Sequence, residues 1–314
     1  MCRTLLAALL ACFAMCACKA PGAPRVGKPL QMTVGTRSVL IQDGDEVVAR
    51  YQADGPRGPA VWPLCAPGGE SVTRAFPFAE VLGEAHDHPH HTSLWFAHGN
   101  VSGVDFWQGK GRIVAVGDPI VDQAQQHIEQ RCEWRDEQGA LVARERRQWS
   151  FFGGGDWRAV DLATVLTSDG RPLRFGDTKE GTMALRLRQE FCLEGPAAAG
   201  AMQNSEGQVG NAVWSKRARW VAYSADLGGV PHTVAMFDHP TNHGFPTTWH
   251  ARGYGLCAAN PFGLSDFTKA PKGAGDLVVP AGREQAFRYR VWVHRGPCDA
   301  AAIDAAWRAF VAGN

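Results

Sequence analysis

Three short runs concentrate side chains able to move protons, hold a metal or grip hydroxyl groups. The densest is His86-Asp87-His88-Pro89-His90-His91, followed closely by Leu94-Trp95-Phe96-Ala97-His98. Imidazole is a common metal ligand, and its ordinary pKa lies near neutrality. Pro89 favours an extended or turn geometry for the residue before it. In an extended segment His86, His88 and His90 would point to one side. That arrangement suits a metal, given a further ligand, or a polar substrate pocket, or histidines that merely bond the backbone. Metal and cofactor stay unassigned at this stage. The second run, Phe175-Gly176-Asp177-Thr178-Lys179-Glu180-Gly181, places two carboxylates three residues apart around a lysine. One of them could act as a general base or complete a histidine site; the plainer alternative is a turn in which Asp177 bonds nearby amides. The third spans Asp238-His239-Pro240-Thr241-Asn242-His243, Trp249-His250-Ala251-Arg252 and Asn260-Pro261-Phe262-Gly263. Asn, Arg and His can read sugar hydroxyls, and Trp offers a flat apolar face.

These runs give a candidate set. His88, His90, Glu180 and His250 are expected to do chemistry. His91, Trp95, Asp177, Arg186, Trp249, Arg252 and Asn260 are expected to contact substrate, with Arg186 and Arg252 as polar anchors. The chain has no G-x-S-x-G elbow, P-loop, H-E-x-x-H or EF-hand loop, so serine-hydrolase, nucleotide-driven and zincin mechanisms lose ground.

The elements that must position these residues are mostly strands. Gln31 to Gln42 and Glu46 to Gln52 flank an Asp43-Gly44-Asp45 turn, a hairpin signal. Further strands are expected over 112–121, 127–135, 140–151, 157–166, 183–193, 219–223, 232–237, 254–259 and 285–294. In the last, Phe287, Tyr289, Val291 and Val293 share one face, and Arg288, Arg290, Trp292 and His294 the other. Arg144 to Arg147 reads as a solvated strand face. One helix is expected over 299–312, with an Ile303/Trp307/Phe310/Val311 stripe and Asp299 as its cap. Ten or more strands without a βαβ rhythm predict an all-β fold, a large β-sandwich or supersandwich, mutarotase-like in one version, with one C-terminal helix. Long polar-aromatic loops are expected over 83–111, 174–182 and 238–268, lengths that mark functional loops.

The 314 residues are 45 % hydrophobic and 20 % charged, with a net charge of +1. A sizeable core follows, and no pull toward nucleic acid. Arg3 followed by the apolar run from Leu5 to Ala17 predicts a secretory signal over 1–18. A lipidated cysteine is expected at Cys18, with Cys12 the alternative, then a Pro/Gly-rich tether over 19–29 and one β domain over 30–314. The expected location is the periplasm, with membrane contact only through the lipid. The cysteines beyond the signal form no C-x-x-C pair, which argues against a zinc knuckle; Cys132, Cys192 and Cys257 read as buried thiols.

The motifs His-Pro-His-His, Leu-Trp-Phe-Ala-His-Gly-Asn (94–100), Gly-Val-Asp-Phe-Trp (103–107), Phe-Gly-Asp-Thr-Lys-Glu-Gly (175–181), Trp-His-Ala-Arg-Gly-Tyr-Gly-Leu (249–256) and Ala-Asn-Pro-Phe-Gly (259–263) together resemble a bacterial family of unknown function labelled the PmoA family. The resemblance covers roughly residues 30 to 295. Thr92 stands where an arginine is usual and His243 where a proline is usual. The label implies a methane oxygenase subunit, an integral membrane protein. No segment here reaches the roughly 20 apolar residues a spanning helix needs. What the resemblance implies is an exported β protein encoded beside carbohydrate-processing enzymes. The expectation is therefore an exported carbohydrate-active protein, a hydrolase, lyase or epimerase, taking a small-molecule or oligosaccharide substrate. The rivals are a non-catalytic carbohydrate-binding lipoprotein and a metal-dependent oxygenase.

Overall fold

The computed structural model describes residues 29–313. The expected signal segment, the Cys18 and Cys12 lipidation sites and nearly all of the tether lie outside the described residues. Two eight-stranded antiparallel sheets dominate the architecture. The first runs in the order β1 (Gln31–Gly35), β2 (Ser38–Asp43), β3 (Glu46–Gln52), β4 (Ala60–Leu64), β5 (Leu94–His98), β11 (Gly181–Arg186), β16 (Leu256–Asn260), β15 (Thr248–Ala251). The second runs β12 (Ala201–Asn204), β13 (Trp220–Leu227), β14 (Val230–Asp238), β18 (Glu284–His294), β9 (Trp157–Ser168), β8 (Leu141–Gly154), β7 (His127–Arg135), β6 (Arg112–Asp122). A small ribbon pairs β10 (Leu173–Phe175) with β17 (Leu277–Val279).

The inner faces of the two sheets meet in one apolar cluster. Phe96 of the first sheet touches Trp134 and Phe287 of the second, at ring separations of 6.2 and 5.7 Å. The alternation read from β18 holds: Phe287, Tyr289, Val291 and Val293 are buried in this cluster. Trp292, on the opposite face, packs with Trp220, Phe237, Ile303 and Phe310 beneath helix α2 (Ala300–Ala312). The Asp299 side chain caps that helix, accepting from the Ala301 amide at 2.9 Å.

The structure departs from the expected elements in several ways, the first being that the strand expected over 31–42 is two strands, β1 and β2, paired antiparallel across a turn at Thr36-Arg37. The strand expected over 183–193 stops at Arg186 and is followed by a 3₁₀ turn, Gln189–Phe191. The segments expected as long loops contain strands: β5 within 83–111, β10 and β11 overlapping the two ends of 174–182, and β15 and β16 within 238–268, where the short helix α1 (Leu264–Thr268) also lies. β5, β15 and β16 are buried at every position, so they lack the polar alternation that marks a half-exposed strand. Finally, the basic run on β8 is only half solvated. Arg144 and Arg146 point outward, whereas Glu145 and Arg147 are buried. Arg147 donates to Glu145 at 2.8 and 2.6 Å, and Trp134 and Thr164 bond the same carboxylate at 2.7 and 2.6 Å. Strand parity sends every second residue inward, and a fully hydrogen-bonded ion pair is the form in which such charges can be buried.

Cys65, Cys132, Cys192 and Cys257 are buried free thiols and Cys298 is half-buried. No described helix is long and apolar enough to cross a membrane.

Candidate functional site

Register across the first sheet sorts the candidate residues onto two faces. Trp95, Ala184, Ala258 and His250 pair in one row across β5, β11, β16 and β15. Directly paired residues project to the same side. The adjacent row is Phe96, Met183, Ala259 and Trp249, and Phe96 belongs to the core between the sheets. His250 and Trp95 therefore lie on the outer face of the sheet and Trp249 on the inner. Trp249 is fully buried, and its indole N–H donates to the Ala218 carbonyl at 2.9 Å. The structure places Trp249 in the core, away from the substrate contact expected of it; a one-residue shift along a strand reverses the face.

The outer face is covered by the histidine loop, and a buried arginine shapes that loop. Arg74 donates to the carbonyls of Phe76, Ala85, Asp87, His88 and His91 at 2.9 to 3.4 Å and to the Asp87 carboxylate at 2.5 Å. Burial, reinforced by the neighbouring Arg186, lowers the Arg74 pKa to about 10. Glu84 accepts from the Ala75 and Phe76 amides. The loop is accordingly folded rather than extended: His88 has a positive φ of 43° and its carbonyl accepts from the His91 amide. The extended arrangement with His86, His88 and His90 side by side does not occur. His86 stacks on Phe76 at 4.7 Å, while His88 stacks on His91 at 4.7 Å and on Tyr254 at 5.0 Å. His90 stands edge-on to His91 at 4.5 Å.

Hydrogen bonds fix how these imidazoles carry their protons. His88 Nδ1 donates to Asp87 at 2.6 Å. Arg186 donates to His91 Nδ1 at 3.0 Å, so His91 carries its proton on Nε2. Burial, with Arg186 beside it, keeps His91 neutral far below the ordinary imidazole range. Arg186 also donates to Asp87 at 2.8 Å and lies over the Tyr254 ring at 4.7 Å. Burial opposes ionisation of Asp87, but Arg186 and His88 outweigh it and hold the carboxyl below its usual range.

Glu180 enters from the start of β11. The Gly99 amide donates to its carbonyl at 2.6 Å, and a Cβ at Gly99 would lie 2.7 Å from Glu180 Cβ. Glycine at 99 is thus what allows this approach. The loop before Glu180 is pinned by residues expected to touch substrate. Asp177 accepts from the Ser265 and Gly275 amides at 3.0 and 3.1 Å; it bonds backbone, as its plainer alternative had it, but on a segment distant in sequence and not within a local turn. Asn260 is fully buried, donating to the Thr178 carbonyl and accepting from the Phe262 amide, both at 2.9 Å. Both position the Glu180 loop, and their polar atoms are already committed. His98 is likewise internal: Nε2 donates to the Gly176 carbonyl at 2.8 Å and burial drives its pKa down to about 4.

His250 Nδ1 donates to the Lys179 carbonyl at 2.9 Å, leaving Nε2 as the basic nitrogen. Burial lowers its pKa to about 4, against an upward pull from Glu180. His90 is lowered by burial and by His88, again against an upward pull from Glu180. Burial raises the Tyr254 pKa, and Glu180 adds to that rise. Glu180 therefore bears on two imidazoles and a phenol drawn from two separate segments, the histidine loop and the 249–256 run. Lys179 pairs with Glu180. Arg252 is exposed, with its guanidinium 5.7 Å from Trp214 and 5.9 Å from Tyr254. The back of the site is sealed by Trp95 and Trp107, whose rings lie 5.1 Å apart and are tilted by 45°. Its mouth is open at His88 and Lys179, whose side chains are 40 % and 41 % exposed.

The structure thus brings together His88, His90, His91, Glu180, His250, Arg186 and Arg252, with Trp95 behind them. It adds Arg74, Asp87, Lys179 and Tyr254. Arg74 left no local signal because it acts on a loop more than ten residues away. Asp87 and Tyr254 stood inside quoted motifs and are understood only once their partners are seen. Among the described residues no group of three or more His, Cys, Asp or Glu is arranged to hold a metal ion.

A family model covers residues 38–308, and the chain belongs to that family, a family of unknown function (DUF6807). The match agrees with the expectation of an uncharacterised family and does not carry the PmoA label. No curated protein matches the sequence at a significant level. Among solved structures the chain is similar to a beta-arabinopyranosidase, at 10 % identity and a TM-score of 0.36, with 78 % of this chain and 38 % of that chain covered. It is also similar to a galactose mutarotase related enzyme from Lactobacillus acidophilus, at 9 % identity and 0.33, covering 86 % and 99 %. A putative aldose 1-epimerase from Escherichia coli K12 gives 11 % and 0.29, covering 88 % and 99 %. The chain spans little more than a third of the arabinopyranosidase. Likeness at these scores establishes neither activity nor substrate.

Proposed function

We propose that this protein is a carbohydrate-active enzyme that transfers protons to and from a sugar, as a lyase or epimerase does. The observation carrying this reading is the convergence of His88, His90, His91 and Tyr254 in mutual ring contact, with Arg186 and Asp87 beside them and Glu180 near enough to bear on the charge of His90, His250 and Tyr254. A neutral imidazole such as His250, with Nδ1 tied back and Nε2 free, is suited to general base and acid work. Tyr254 and the stacked imidazoles give flat faces for a sugar ring, and Arg252 gives an unshared donor at the rim. Glycoside hydrolysis in its common form needs two carboxyl groups flanking the bond. Here Asp177 is spent on amides and Asp87 on two arginines and an imidazole, which favours imidazole-centred proton transfer over hydrolysis. A titratable cluster of this kind also favours an enzyme over a passive carbohydrate-binding protein.

Product analysis by mass spectrometry across a panel of neutral and acidic oligosaccharides tests the proposal. The wild type should give an eliminated or isomerised product, and His250→Asn should lose about 10²-fold or more of the rate. Equal activity in the variant would overturn the assignment. We place the protein in the periplasm as a lipoprotein modified at Cys18. Globomycin should then accumulate an unprocessed precursor, and normal processing without lipid would contradict the placement.

A further inference from the structure

The outer face of the second sheet is divided in two. Helix α2 covers the half around Ala159, Trp220, Phe237 and Trp292. The other half is an open groove of about 510 Å³. Two complete rows of paired residues form its floor across β6, β7, β8, β9 and β18. One reads Val116, Arg131, Arg146, Val165, Ala286; the other reads Ile120, Glu129, Gln148, Ala163, Arg288. The β6 edge, bulged between Val116 and Ile120, makes one wall, and Ile120 is 64 % exposed.

The charges in this groove are arranged at a cost. Arg131 and Arg146 are direct cross-strand partners, and like charges placed opposite one another destabilise a sheet. The only carboxylate recorded against Arg146 is Glu284, at 3.5 Å on the exposed rim. No carboxylate is recorded against Arg131 or Arg288 among the described residues. Two carboxylates line the groove: Glu129 on the floor, 3.5 Å from His127, and Asp118 in the bulge of β6, 3.9 Å from Arg37. By contrast Arg290, one step along the same face beneath α2, is neutralised by Asp161 at 2.5 and 2.8 Å. A surface that neutralises its covered arginine with a close bidentate carboxylate, and leaves Arg131 and Arg288 without one and Arg146 with a single long rim contact, is complementary to an external anion. Small apolar residues, Ala163, Val165 and Ala286, leave room between the guanidinium groups for a flat ring. Guanidinium forks match carboxylates in geometry as well as charge.

We infer that this groove is a second binding site, separate from the histidine site, for a carboxylate-bearing saccharide chain. Its ring faces would lie on the Ala163–Val165–Ala286 floor and its carboxylates against Arg131, Arg146 and Arg288. The site is independent of the catalytic reading, because it uses the opposite sheet and none of the same residues.

Affinity electrophoresis of the full chain in gels containing polygalacturonate tests the inference, with methyl-esterified polygalacturonate, DNA and anionic phosphatidylglycerol vesicles as comparisons. Polygalacturonate should retard the wild type and the neutral ester should not. The double variant R131Q/R146Q should bind polygalacturonate at least about tenfold more weakly, while melting no lower than the wild type at low salt. His250→Asn, which alters the other site, should be retarded like the wild type. Equal retardation of wild type and double variant, equal retention by the neutral ester, or binding confined to DNA or vesicles would each overturn the proposal.

Discussion

At the scale of single residues, the site depends on which atoms are already committed. His88 and His250 have Nδ1 tied to Asp87 and to the Lys179 carbonyl, and the neutral His250 offers Nε2 as a base. His91 has the opposite assignment under Arg186 and serves as a stacking surface. Asp87 is the hinge of this arrangement, serving Arg74, Arg186 and His88 together. Asp87→Asn would strip the carboxylate from two guanidinium groups that are each 3 % exposed. Breaking a buried ion pair costs about 3–5 kcal/mol; Asp87 is itself 39 % exposed, and solvent screening reduces the expected loss to roughly 2 kcal/mol. Urea denaturation of the variant should show this loss, and a change of only a few tenths would mean that Asp87 does not hold the loop.

At the scale of elements, parity decides what a side chain can do. His250 and Trp249 are neighbours in sequence and stand on opposite faces of β15. The sequence run treats them alike, and only the pairing of β15 with β16 separates them. Strands with one wet face, such as β18 and β7, were legible from alternation, as was α2 from its cap and stripe. β5 and β15 carry or flank most of the chemistry and were not, because burial on both faces removes the alternating signal. The same rule hid the Glu145–Arg147 pair inside an outwardly basic run on β8. Both side chains are fully buried, so Glu145→Ala would leave Arg147, Trp134 and Thr164 without their acceptor. The expected loss is about 3–5 kcal/mol, read as a lower denaturation midpoint. A loss below about 1 kcal/mol would show that solvent reaches Arg147.

At the scale of the whole molecule, buried imidazoles couple stability to pH. Burial lowers the pKa of His98 and of His250 to about 4, and His91 lies lower still. Unfolded histidine titrates near 6.5. The unfolded chain therefore takes up protons first as pH falls, and the stability these groups contribute, complete above about 6.5, is lost progressively down to about 4. Asp238 works against this: burial raises its pKa to about 7, so its contribution is present at low pH and is lost as pH rises from about 3.8 through 7. Each proton is worth about 1.4 kcal/mol per pH unit, and these three histidines, joined by His239 with its pKa also lowered to about 4 by burial, outweigh the one carboxyl and leave a net fall on acidification. Denaturation midpoints should drop steeply between pH 6.5 and 5, and less steeply in His250→Asn. A flat profile would contradict the burial of these rings. The motifs showed that three distant segments carry polar groups; they did not show that Asp177 and Asn260 spend theirs on the backbone, or that Arg74 folds the histidine loop.

The central claim is that Glu180 and the imidazoles beside it move a substrate proton. Solvent deuterium incorporation into saccharides incubated with the protein in heavy water measures that step directly, before any product need accumulate. The wild type should exchange a carbon-bound hydrogen of at least one saccharide in the panel, with Glu180→Gln slower by about 10²-fold or more while melting like the wild type. Exchange at equal rates in the two proteins, or none by the wild type on any saccharide tested, would contradict the account.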